Sequence, residues 1–212
     1  SVNQPGESKN FDEKTVDEIV KKYFNLASNV LAFYQLYSSS LETSNYKLAT
    51  SSHVLDIWIL ARLNQLISEV TDGLDNYKLL EPTRAIRDFI ADLSQWYLRR
   101  SRERIKNGGQ DGMDALTTLR FVLLELSKLM APLAPFFAEY LYKEVGGEKA
   151  KPNLGDSVAL SAPSGFRESV HLESWPTIDS RFKIKDSRII LEEMGEVRRI
   201  VSLALEQRAK AN

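Results

Sequence analysis

Residues 82–109 read PTRAIRDFIADLSQWYLRRSRERIKNGG, and the rest of the chain is best understood outward from them. Pro82 follows Glu81 at a first-turn position, where a missing N–H costs nothing, and Gly108-Gly109 supplies a C-terminal stop. Between them the apolar residues Ile86, Phe89, Leu93 and Tyr97 recur at three- and four-residue steps, which predicts one uninterrupted amphipathic helix to Asn107. Continuing that seam reaches Arg100 and Arg104, while Arg99, Arg102 and Lys106 lie opposite. The last turns are therefore expected to be basic on both faces.

The same periodicity governs the neighbours. Asp12 is a candidate N-cap for a long helix through Val16, Ile19, Val20, Tyr23, Phe24, Ala27, Val30, Leu31 and Tyr34, with Ser38-Ser39-Ser40 ending it. A second helix is expected from about Ser52 to Leu74, and a fourth from near Asp111 through Leu116, Leu119, Val122, Leu123, Leu126 and Leu129. Pro132 and Pro135 break the pattern, and a short helix follows from Pro135 to Val145. Residues 146–165 are rich in Gly, Pro, Ser and Lys and read as an irregular connector. Ser169-Val170-His171-Leu172 alternates like a short strand closed by Trp175-Pro176, and helix returns from about Asp186.

The expectation is an all-α, up-and-down helical bundle, one domain over 1–212. Its core bundle would span 11–145, its connector, with the short strand, 146–180, and a late C-terminal helix 181–212.

Composition narrows the function. Of 212 residues, 43% are hydrophobic, enough for a real core, and ten glycines with seven prolines are few for a loop-rich or all-β chain. The absence of cysteine removes disulfides, thiolate nucleophiles, Fe–S clusters and sulfur-ligated zinc. The two histidines, His53 and His171, are far apart: the first fits a capping or exposed role at a helix start, the second a structural role beside Glu173. Glu139, Glu144, Glu192 and Glu193 fall on what read as solvated helix faces, and Phe24, Phe33, Phe121, Phe136 and Phe137 follow core spacing. No Gly-rich loop follows a strand, so neither dinucleotide binding nor a P-loop has support, and no clustered nucleophile, acid/base pair or metal-ligand set points to a catalytic centre or a metal site. Residues 1–10 lack a basic n-region followed by an apolar h-region, and Val54–Leu60 is too short to span a bilayer, so a cytoplasmic protein is expected.

The formal net charge of -1 argues at first against nucleic acid. Residues 96–106, however, carry five Lys+Arg and one Glu, a local charge of +4, so the other 201 residues sum to -5. Two readings of this patch are open. Its arginines could meet a phosphate backbone, with Trp96 and Tyr97 as stacking platforms. Alternatively, Arg100 and Arg104 could turn to carboxylates on neighbouring helices.

Several segments resemble, in order, the anticodon-binding region of the isoleucyl-tRNA synthetases. They are GESKNFDEKTVDE (6–18), HVLDIWILARLN (53–64), DLSQWYLRRSRER (92–104), LMAPLAPFFAEYLY (129–142) and SVHLESWP (169–176). The pairing of WYLRRSR with SVHLESWP resembles the archaeal/eukaryotic-like branch. The resemblance implies a module that docks the anticodon stem-loop of an isoleucine tRNA, with Trp96, Arg99, Arg100, Arg102 and Arg104 as its nucleic-acid-binding residues. It further implies a parent ligase that joins isoleucine to tRNA using ATP in a separate catalytic domain. HIGH-like and KMSKS-like sequences are absent from these 212 residues, so an excised, monomeric piece with no cofactor and no catalytic residue of its own is expected. The missing initiator Met, and an end at Lys210-Ala211-Asn212 inside a helical pattern, suit that expectation. The family often places an aromatic after the last Arg of the run; here Ile105-Lys106 stand, so no stacking role carries over to that position. Equivalent domains of valyl- or leucyl-tRNA synthetases, or a helical scaffold for an acidic protein, are the alternatives.

Overall fold

The structure is a computed structural model that describes residues 12–38, 52–146, 167–178 and 184–210. Most of the expected connector, 147–166 and 179–180, lies outside the described residues, as do residues 6–11 of the first resembling segment. The elements are α1 (Glu13–Ile19), α2 (Asn25–Ser38), α3 (Val54–Asp75), α4 (Leu80–Ala91), α5 (Arg99–Asn107), α6 (Gly109–Met130), α7 (Pro135–Gly146) and α8 (Ile184–Lys210). Two π-helical segments, Val20–Phe24 and Asp92–Leu98, join α1 to α2 and α4 to α5, giving two continuous rods. The fold is all-helical, and the described residues contain no strand.

Local chemistry sets the helix ends. Asp12 Oδ1 accepts the Lys14 amide at 3.2 Å, and His53 Nδ1 accepts the Leu55 amide at 3.2 Å, so the imidazole caps α3. Gly108, at φ 70°, turns the chain between α5 and α6 with backbone that an L side chain resists. The first rod packs on the second and on α6 and α7, α3 packs on α4 and α6, and α8 returns to lie on α3. One hydrophobic cluster runs through them, from Ala27 and Leu31 through Trp58, Leu66, Phe89, Leu93, Leu119 and Leu141 to Met194. Truncating one such fully buried leucine to alanine costs about 2–5 kcal/mol. Helix α8 is thereby tied to the same core as the bundle.

Several sequence expectations need correction, among them Tyr97 as a stacking platform, since that ring is fully buried, and the uninterrupted α-helix to Asn107, which is π-helical over Asp92–Leu98. The stretch 169–172 is a 3-10 turn over Val170–Leu172, not a strand. Its first two amides go to side chains and the Leu172 amide to the Ser169 carbonyl, not to a ladder: Glu139 Oε2 accepts the Val170 amide at 3.0 Å and the Ser169 hydroxyl at 2.9 Å. Ser169 Oγ in turn accepts the His171 amide at 3.2 Å, while the Val170 side chain anchors the turn in the core. Glu139 is consequently no freely solvated carboxylate, its side chain being 24% exposed. Phe136, spaced like a core residue, is 92% exposed on the first turn of α7, whereas its neighbour Phe137 packs edge-on against Phe24.

Beyond the turn, Trp175 Nε1 donates to Thr71 Oγ1 at 2.8 Å, fastening this segment to α3. No helix among the described residues is long and apolar enough to cross a membrane.

Candidate nucleic-acid interface

The rod 80–107 presents its arginines through a register shift. Leu93, Tyr97, Ser101 and Ile105 are all buried, at four-residue steps. Such steps overshoot a turn of α-helix by about 40° each, which would rotate the later members off the packed face. The i→i+5 winding of Asp92–Leu98 takes more residues per turn and absorbs the overshoot. The buried seam therefore continues from Tyr97 to Ser101 and Ile105 and bypasses Arg100. Arg99, Arg100 and Arg102 are left exposed, and the rod stays packed to its end.

Arg104 is placed differently. Its side chain is only 11% exposed, and its Nη1 and Nη2 donate to Asp56 Oδ1 and Oδ2 at 3.1 and 2.9 Å. Nε and Nη2 donate to Asp111 Oδ2 and Oδ1 at 2.8 and 2.6 Å. Burial opposes the charge, but the bonds the guanidinium donates to Asp111 and Asp56 outweigh this and hold it above its ordinary pKa. The fully buried Tyr97 hydroxyl completes the cluster, donating to Asp56 Oδ1 at 2.7 Å. Burial, reinforced by Asp56, pushes the Tyr97 pKa well up.

One residue from each of α3, the π-helical segment, α5 and α6 thus meets in this cluster. Gly112 lets α6 approach, since a Cβ there would lie 2.7 Å from the Arg104 carbonyl oxygen. Of the two readings open for Arg104 in the sequence, the geometry is that of the carboxylate brace.

Trp96 organises the exposed side. Its Nε1 donates to Met194 Sδ at 3.2 Å, which fixes the indole against α8. The Arg100 guanidinium carbon sits 3.2 Å from the indole centroid and that of Arg198 5.3 Å. Arg198 Nη1 also bonds Asp92 Oδ1 at 2.7 Å, and Asp92 Oδ2 accepts from Arg62 Nε at 3.1 Å. Arg102 lies 5.8 Å from the Phe33 centroid. Partial burial, then Arg99 and Arg198, lower the Arg100 pKa, a sign of like charges gathered on one surface.

Sequence reasoning missed Arg198. The signal was its place four residues after Met194 and eight after Ile190, on the side of α8 that packs inward. The surface that results presents planar guanidinium forks at several adjacent points. Such a surface suits an extended polyanion better than a small substrate.

Residues 56–212 match the anticodon-binding domain of tRNA ligase, and the chain belongs to that family. Among known proteins it is 35% identical over 211 residues to an isoleucine--tRNA ligase of Dehalococcoides mccartyi, covering 98% of this chain and 19% of that one. It is 33% identical over 217 residues to the isoleucine--tRNA ligase of Deinococcus radiodurans (100% and 18% covered). Over 210 residues it is also 33% identical to that of Picrophilus torridus (98% and 18% covered). The chain spans about a fifth of the length of these relatives.

Proposed function

We propose that this chain is a single anticodon-binding unit that docks the anticodon stem-loop of an isoleucine tRNA for a cytoplasmic isoleucine–tRNA ligase. The observation that carries the reading is the run of exposed cations Arg99, Arg100 and Arg102 on one packed rod, in a chain whose net charge is -1. Stem phosphates require only that the facing surface be basic. Arg99, Arg100 and Arg102 contact phosphate, and Trp96 works by holding Arg100. Arg104 keeps the rod in place from behind.

In the parent ligase, isoleucine is joined to tRNA with ATP in a catalytic domain outside these residues, and that domain is this module's other partner. The module is monomeric and carries no cofactor. WYLRRSR and SVHLESWP support assignment to the archaeal/eukaryotic-like branch.

Exchange of anticodon loops between isoleucine and valine tRNAs tests the assignment. Tighter binding to whichever tRNA carries the isoleucine anticodon is expected. Equal binding to both contradicts isoleucine identity, and weak affinity of the isolated module is expected because the catalytic domain supplies avidity.

A further inference from the structure

We propose that Arg198 of α8 and Arg100 of α5 together hold one backbone phosphate of the tRNA beside Trp96, so that the final helix is part of the interface. This rests on the tRNA-docking reading and assigns the role of one more residue within it.

Two guanidiniums, 98 residues apart in sequence, converge on the same indole, at 3.2 and 5.3 Å from its centroid. Trp96 is not free to swing away, because its Nε1 is engaged with Met194. One face of the ring already carries Arg100, which leaves the guanidinium forks, and not the indole, as the groups presented outward. The charges do not balance among themselves. Asp92 serves both Arg62 and Arg198, and no carboxylate among the described residues pairs with Arg100, with Arg99 beside it. Glu69 and Asp88 line the same cleft as Arg62, Asp92 and Arg198, so among the described residues here the cations left without a carboxylate are Arg99 and Arg100. A phosphate offers oxygens to two forks at once, which a single carboxylate already shared by two guanidiniums cannot do.

The ion pair with Asp92 keeps Arg198 extended toward Trp96 before RNA arrives, so little side-chain entropy remains to be lost. Arg199, next in sequence, is instead exposed and paired with Glu196 at 2.8 Å. That makes it a matched control for charge on the same helix.

The test is binding of an isoleucine tRNA transcript to the full 212-residue chain over a salt series. Arg198→Gln is expected to weaken binding and to make the slope of log K against log salt shallower by about 1, with Arg199→Gln changing it far less. Arg198→Lys, which keeps the charge, is expected to keep the slope. The double variant Arg100→Gln/Arg198→Gln is expected to lose less than the product of the two single-variant losses, because one phosphate is shared.

Equal effects of Arg198→Gln and Arg199→Gln, a fully multiplicative double variant, or a shallow slope for Arg198→Lys would each overturn the shared site while tRNA docking by the wild type stands. Absence of wild-type binding at low salt overturns the docking reading and this site with it. Displacement of the tRNA by polyglutamate at equal charge concentration would make the surface a generic acidic-protein site and overturn the phosphate assignment.

Discussion

Arg104 grips the fully buried carboxylate of Asp56 with both terminal nitrogens, at 3.1 and 2.9 Å, across 48 residues of sequence. The pair fixes the end of the basic rod to the start of α3, so the exposed arginines stand on a braced support. Removing the Asp56 carboxylate leaves Arg104 paired with Asp111 alone, at a cost of about 1–3 kcal/mol, below the about 3–5 kcal/mol of a buried charge left wholly unpaired. Asp56→Asn is expected to lower the urea midpoint accordingly with little change in m, and a loss below about 1 kcal/mol would contradict the brace.

The corner between α5 and α6 depends on a missing Cβ. Gly112→Ala places a methyl 2.7 Å from the Arg104 carbonyl oxygen, a backbone atom that cannot swing aside. A destabilisation of about 1–3 kcal/mol is expected from the forced separation of the helices. Unchanged thermal unfolding would show that the two helices are less closely apposed.

Alkaline pH should act through two tyrosines. Tyr97 is raised by burial and by Asp56, and Tyr142 by burial and by its hydrogen-bonded partner Glu173. Both folded-state values lie above the ordinary 10.0, so the folded state retains protons that the unfolded chain releases. Stability is then fully present below about pH 10 and falls as pH rises through the folded-state values. Absorbance titration should show these two of the eight tyrosines ionising only with unfolding. Tyr97→Phe should soften the alkaline decline at a neutral-pH cost of about 1 kcal/mol.

The sign reverses for Glu139. Burial pushes its pKa up, but bonds from Lys143, Ser169 and the Val170 amide outweigh this and leave it lowered. Its contribution is present above the ordinary carboxylate range and is lost as pH falls through the folded-state value. Glu139→Gln is expected to cost about 1–2 kcal/mol, discounted for its partial exposure, and to flatten the acid limb. Faster exchange of the Val170 amide would report the loosened turn, and exchange as slow as in the wild type would contradict it.

The helices were legible because apolar spacing, the caps at Asp12 and His53 and the stop at Gly108 all agree locally. What escaped was set by geometry that spacing does not encode. A uniform 3.6-residue period carries Arg100 into the seam; the π-helical winding of Asp92–Leu98 leaves it out and admits Ser101 and Ile105. The composition of the arginine run could not separate Arg104 from its neighbours, since its partners Asp56 and Asp111 come from α3 and α6. Val170 alternates like a strand residue, yet its amide finds Glu139 on α7. Arg198 meets Trp96 only because α8 folds back on α3, a meeting across most of the chain.

Central to this picture is that Arg99, Arg100 and Arg102 are the outward, phosphate-facing cations. The most direct test is the salt dependence of isoleucine tRNA binding by the wild type and by the triple variant Arg99→Gln/Arg100→Gln/Arg102→Gln, with thermal unfolding of both recorded. The expected result is unchanged unfolding and a slope of log K against log salt shallower by about 2–3 in the variant, near 0.7–0.9 for each phosphate no longer neutralised. A triple variant that binds with the wild-type slope would contradict it.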